Sequence, residues 1–243
     1  MISLDLAPAW MAPYRAAAAR VLQRLREGCT VAQALNAEPA ASGIRLAAGA
    51  LRFVPASGAP PGEAYESFIA RTASVPTRNN LHDLLNGLVW LRYPALKRRM
   101  NERQADELAH RGTGTRRGAV RDALTLLDEN GAWLRAPATL TDALARRDWH
   151  ALFVTHRDEW RHADLTLVGH ALIEKLAQPR KAITAHVWLV ADDLDEFVEG
   201  VGLAPFGPLP VLGVPGWWDD NERPGFYEDS TVFRPASATR RHQ

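Results

Sequence analysis

Cysteine is nearly missing from this chain: Cys29 stands alone among 243 residues. That excludes an internal disulfide and any zinc site built on paired thiolates. As a nucleophile Cys29 would need a nearby base that its sequence surroundings do not suggest, so it reads as a small packed side chain. Lysine is scarce as well, 26 of the 29 basic residues being arginine, a bias that a GC-rich genome is enough to explain. An excess of either charge is absent. With 28 acids against 29 bases the formal charge is +1, which argues against wholesale electrostatic binding to nucleic acid or a membrane surface and leaves room only for local patches. No apolar run approaches the roughly 20 residues that a bilayer span requires. The opening MISLDLAPAW has neither the basic start nor the long apolar core of a secretory leader, so a cytoplasmic location without membrane partners is expected.

What is present is the composition of a globular protein, 47% hydrophobic and 23% charged, enough for a sizeable core in one domain. Eight tryptophans are scattered along the chain, which suits core and seam packing more than one stacking platform. The expected architecture is an α+β, helix-rich single domain over residues 1–235 with a small sheet including a β-hairpin. Over residues 205–235 the chain is rich in proline, glycine and aromatics, poor material for a helix or central strand. It reads as an extended arm laid over the body and across any site there, followed by a disordered tail at 236–243.

The stretch around which the rest is organised is VPTRNNLHDLLNGLVWLRYP, Val75 to Pro94. A helix is predicted to begin at Asn79 or Asn80, because an asparagine followed three residues later by Asp83 makes a capping-box-like start, and to end before Pro94. Leu81, Leu84, Leu85, Leu88 and Leu91 form its apolar face, while His82, Asn86 and Trp90 line another. Taking His82, Asp83 and Asn86 into a core is costly unless they are hydrogen-bonded or bind something.

Elsewhere the periodicities predict helices over Pro13–Glu27, Glu63–Arg71, Ala95–Arg111, from Thr139 or Thr141 to about His156, Val168–Ala177 and, short and acidic, Asp192–Glu199. Leu51–Pro55 and Ile183–Ala191 alternate as strands. Two apolar runs flank Asp128-Glu129-Asn130-Gly131, and Asn-Gly in that setting predicts a β-hairpin over Leu124–Arg135. The sheet is accordingly expected to combine that hairpin with Ile183–Ala191 and Leu51–Pro55.

The runs VPTRNNLHDLLNGLVWLRYPALKRRMN, RDALTLLDENGA, GHALIEKL with ITAH, and LPVLGVPGWW with FYEDSTVFRP together resemble the bacterial domain of unknown function family 3025, in consistent order from about Ala50 to Pro235. The resemblance implies one structural unit. It brings no activity, cofactor or catalytic residue, so every role below is argued from side-chain chemistry.

The candidate chemistry is a divalent metal site, zinc, manganese or iron, with His82, His170 and His186 as ligands. Asp83 and Glu174 are the carboxylates that complete the shell or act as catalytic base, and His170 and Glu174 are able to share one ion from adjacent helical turns. Such a centre would lower the pKa of a bound water and make the protein a metal-assisted hydrolase. Arg78, Asn80, Asn86 and Thr184 are candidate binding residues, with Arg78 near a helix N-terminus where free N–H groups meet anions. There is no H-E-x-x-H, and ligands a hundred residues apart make a site only if the fold gathers them. The plainer alternative uses the same residues as a buried hydrogen-bond network. Thr184 lies two residues before His186, but no G-x-S-x-G elbow supports a nucleophile. Asp128 and Glu129 read as turn formers. A rival of another class is a non-catalytic binder of nucleic acid or an anionic partner, using the bases between Lys97 and Arg121 and a basic loop at Gly112–Gly118.

Overall fold

The computed structural model describes residues 2–111, 118–190 and 205–236. The predicted Asp192–Glu199 helix, residues 112–117 of the basic loop and residues 237–243 of the tail lie outside them. Helix α1, Arg15–Arg26, buries Ala18, Val21 and Leu22 along one face, and Gly28 turns the chain at φ +94°, a conformation that a β-carbon would strain. Thr30 starts α2, Val31–Asn36, in a full capping box with Gln33. Strands β1, Arg45–Leu46, and β2, Gly49–Ala50, make a small antiparallel hairpin. Strand β3, Arg52–Pro55, then passes through α3, Tyr65–Thr72, to β4, Ser74–Thr77, with which it pairs in parallel.

Next comes α4, Leu81–Arg92, followed by α5, Pro94–Arg111, and α6, Ala119–Asn130. Strand β5, Gly131–Arg135, leads to α7, Ala138–Arg146, and then to β6, Asp164–Leu167. Helix α8, His170–Lys175, precedes β7, Thr184–Leu189, and β8, Gly207–Pro210, closes the order. The main sheet runs β6-β5-β7-β8, with β5 parallel to β7 and the outer pairs antiparallel. Gly131 to Leu134 of the inner strand β5 are buried, as a strand covered on both faces requires. Pro208 and Pro210 sit in edge strand β8, where a missing N–H is tolerated. Tyr14, 2% exposed, ties the N-terminal helices to this sheet by donating its hydroxyl to the Leu167 carbonyl at 2.6 Å, and burial pushes its pKa well up. No helix among the described residues is long and apolar enough to cross a membrane.

The α+β, helix-rich single-domain expectation is met, but three of its parts move. The hairpin is at Arg45–Ala50, not at Leu124–Arg135, where α6 runs to Asn130 and β5 begins at Gly131. Val120, Ala123, Leu124 and Leu127 carry a helical period there, and the Asn-Gly pair marks the helix-to-strand junction. Strand β3 pairs with β4 and stays out of the main sheet. The helix expected to reach His156 stops at Arg146, and Ala151–Thr155 forms a separate π-helical turn.

The C-terminal arm packs on that turn. Trp149 Nε1 donates to the Arg234 carbonyl at 2.7 Å, and the buried Asn221 amide donates to the Leu212 and Val214 carbonyls at 3.0 and 2.8 Å. Phe226 and Phe233 are buried, whereas Phe206 stays 42% exposed.

Candidate metal centre

Helix α4 carries its polar side chains inward because nearly all of it is covered: Asp83 through Leu91 are buried. The Asn80 side chain caps it, accepting from the Asp83 N–H at 2.8 Å. Asp83 in turn reaches back to the Arg78 N–H at 2.6 Å and accepts two guanidinium bonds from Arg78 at 3.1 and 2.8 Å. The far wall is set by a close backbone approach. The Gly169 N–H donates to the Gly131 carbonyl at 2.8 Å, and a β-carbon on Gly169 would fall 2.4 Å from Gly131 N and 2.7 Å from the Glu129 carbonyl. With only hydrogen at that position, the start of α8 lies against the last turn of α6. His170 is thereby set beside Asp128 and Glu129.

Two imidazoles meet where α4 crosses α8. His82 Nε2 and His170 Nε2 are 2.9 Å apart, with the rings edge to face at a centroid distance of 4.4 Å. Behind His82, Glu174 Oε2 lies 2.8 Å from Nδ1; behind His170, Asp128 Oδ1 lies 3.7 Å from Nδ1. Glu129 Oε2 stands 3.8 Å from His170 Nε2. One ligand atom each from His82, Glu129 and His170 falls within a 4.8 Å group. His170 is only 4% exposed, and its Nδ1 has no hydrogen-bond partner among the described residues.

Lys97 anchors this arrangement from below. Its ammonium is buried and bonds Asp128 Oδ1 at 2.5 Å and Asn86 Oδ1 at 2.8 Å, while Asn86 Nδ2 donates to the Tyr65 hydroxyl at 2.9 Å. Burial alone would raise the Asp128 carboxyl, but the Lys97 charge, helped by the nearby His170 imidazole, outweighs it and holds the group well below the usual carboxylate range. The Tyr65 hydroxyl moves the opposite way, raised by burial and by the negative charge of Asp128. Although 38% of Tyr65 is exposed, its hydroxyl is at the buried end. The cavity in front of these groups has a volume of about 390 Å³.

Residues 51–237 match the family described as Protein of unknown function (DUF3025). The chain belongs to the DUF3025 family. No curated protein and no solved structure matches it. All the site residues just described lie inside the DUF3025 region, and α1 and α2, outside it, share its hydrophobic core.

Of the side chains singled out in sequence, the DUF3025 fold brings His82, His170 and Glu174 together. It also lines the cavity with Arg78, Asp83 and Asn86, while Asn80 is used as the helix cap. His186 and Thr184 on β7 are outside both the cavity lining and the close ligand group. His186 pairs in register with Pro208 and Gly131, and its pKa is lowered by burial and by nearby Lys175; Thr184 bonds the Ala182 carbonyl. The C-terminal arm supplies no lining residue, so its expected course across the site is corrected: its aromatics found their apolar partners around Phe153 instead.

Sequence reasoning set Asp128 and Glu129 aside as turn residues, and helical spacing after Leu124 was the signal that places them on α6. Lys97 gave none, being one base among several. Its side chain is 5% exposed and committed to Asp128, so it presents no charge to a basic surface. Arg98 and Arg99 face Glu102, and Arg116 and Arg117 lie outside the described residues.

Proposed function

We propose that the cavity is a mononuclear divalent-metal site, with His82, His170 and Glu129 as ligands, serving hydrolysis. One observation carries the reading: two imidazoles face each other through Nε2 at 2.9 Å, with the Glu174 carboxylate hydrogen-bonded to His82 Nδ1 at 2.8 Å and the Asp128 carboxylate 3.7 Å from His170 Nδ1, near but not bonded. Metal-binding histidines characteristically donate their second N–H to such an acceptor, which fixes the tautomer and aims the other nitrogen at the ion. With both Nδ1 atoms protonated, two Nε2 lone pairs would confront each other, and a cation between them removes that repulsion. Metal–ligand bonds of about 2.0–2.1 Å imply a tetrahedral edge of roughly 3.3 Å. The 2.9 and 3.8 Å separations bracket it. Three protein ligands leave an open position, the pattern of catalytic rather than structural sites.

Bound there, a divalent ion would polarise a substrate carbonyl and make water acidic enough to attack it near neutral pH. The chain's own groups do the positioning. Lys97 fixes Asp128 beside His170, and Glu174 orients His82. Glu174 is 38% exposed and bonds His82 Nδ1 at 2.8 Å, so its role is to hold the ring in place for the ion.

Metal-free protein titrated with zinc, manganese(II) or iron(II) in a calorimeter should take up one ion per chain. Binding should raise stability by about 2.7 kcal/mol at a hundredfold excess over the dissociation constant. Uptake should disappear in His82→Ala and His170→Ala, with folding kept. Absence of stoichiometric binding and of any stabilisation would leave the two rings sharing a proton and refute the metal reading.

A further inference from the structure

We infer that the cavity takes a substrate bearing a free amino group beside an amide, with Glu66 receiving the ammonium and Gln104 the amide. The reaction performed on it rests on the hydrolytic reading above, whereas the recognition does not. Acids dominate the charged lining, with Glu66, Asp83, Asp128 and Glu129 opposed by Arg78. Three of these four acids are committed: Asp83 to Arg78, Asp128 to Lys97 and Glu129 toward His170. Glu66 has no side-chain hydrogen bond or ion pair among the described residues. Its backbone carbonyl instead accepts from Asn101 Nδ2 at 2.9 Å, which fixes this end of α3 to α5. A divalent ion would not neutralise it, because Glu129 and Glu174 already meet that charge. An anionic substrate would therefore find no uncommitted cation among the lining residues, and an ammonium would find an uncommitted carboxylate.

Gln104 independently points to a ligand. It is 7% exposed, it lines the same cavity, and its side-chain amide makes no hydrogen bond among the described residues. Neither amide atom is among the enclosed side-chain atoms left without a partner, so water in the cavity reaches them, and a substrate amide would take that water's place. Its carbonyl and NH₂ match the donor and acceptor of a substrate amide. Glu66 and Gln104 come from α3 and α5, which pack together, while the imidazoles sit where α4 meets α8. The cavity volume, about 390 Å³, is within the range of small-molecule sites. The substrate class is thus a small amino-acid amide or the amino end of a short peptide.

The test compares alaninamide with N-acetylalaninamide, binding each by calorimetry to metal-free and to zinc-loaded protein. The free amine should bind about tenfold tighter or more, the worth of a hydrogen bond to a charged group. Glu66→Gln should bring that ratio close to one with zinc uptake unchanged, and Gln104→Leu should weaken both ligands. Equal binding of the pair, absence of binding by either, or a ratio that survives Glu66→Gln overturns the inference. Discrimination that persists in protein taking up no zinc would remove the metal reading and keep this one; zinc uptake without discrimination does the reverse.

Discussion

Replacing Lys97 by methionine removes a buried charge while keeping most of the side-chain volume. In the native protein the ammonium bonds Asp128 at 2.5 Å and Asn86 at 2.8 Å and lies over the Trp90 ring, 5.5 Å from its centroid. The variant leaves a carboxylate and an amide oxygen without their donor. Breaking a buried pair from one side costs about 3–5 kcal/mol, but the Asp128 side chain is 21% exposed, so water recovers part, and a loss of about 2–3 kcal/mol at pH 7 is expected.

The sign of the pH effect follows from the depressed Asp128 pKa. A carboxyl held low in the folded state contributes stability that is fully present above its unfolded pKa of about 3.9 and is lost as pH falls below it. Urea unfolding followed by far-ultraviolet circular dichroism should therefore show a gap between wild type and Lys97→Met that is widest near neutrality and narrows below about pH 4. Asp128→Asn added to Lys97→Met should recover a large share of the loss, because no buried charge is then left alone. A gap under about 0.5 kcal/mol at pH 7, within the range of ordinary surface substitutions, or one that stays constant down to low pH, would refute the placement of this pair.

Glu174→Gln keeps the shape behind His82 but removes the carboxylate that holds its Nδ1–H; zinc affinity by calorimetry should fall about 10–100-fold with thermal stability nearly unchanged. Gly169→Ala should be among the more damaging single changes. Its new methyl meets the backbone of Gly131 and Asn130 at 2.4 and 2.7 Å, so α8 must shift off α6, costing about 1–3 kcal/mol in urea unfolding and metal uptake with it. Tyr14→Phe should cost about 1–2 kcal/mol by withdrawing the donor from the Leu167 carbonyl while leaving metal binding intact, which separates general stability from the site.

Local physics made much of this protein legible before any coordinates. The Asn80 cap and Pro94 bracket α4, the apolar spacing of Val21 and Leu22 sets the face of α1, and alternation over Thr184–Leu189 marks β7. These features depend on residues a few positions apart, so the chain declares them directly. His82, His170 and Glu174 were recognisable as costly polar groups on otherwise apolar elements. The same local logic misplaced the hairpin, because Asn130-Gly131 serves a turn and a helix-to-strand junction equally well until pairing partners are known.

Tertiary structure alone decided which polar groups share a cavity. Helix α8 rests on α6 through the Gly131–Gly169 backbone contact, and that contact converts Asp128 and Glu129 from turn residues into neighbours of an imidazole. His186, as conspicuous in sequence as His170, was left outside by the register of β7 against β5 and β8. Periodicity and capping report free energies that act along the chain within a turn or two. The meeting of His82 with His170, 88 residues apart, depends on how whole elements pack, a sum over the entire core that no stretch of sequence carries by itself.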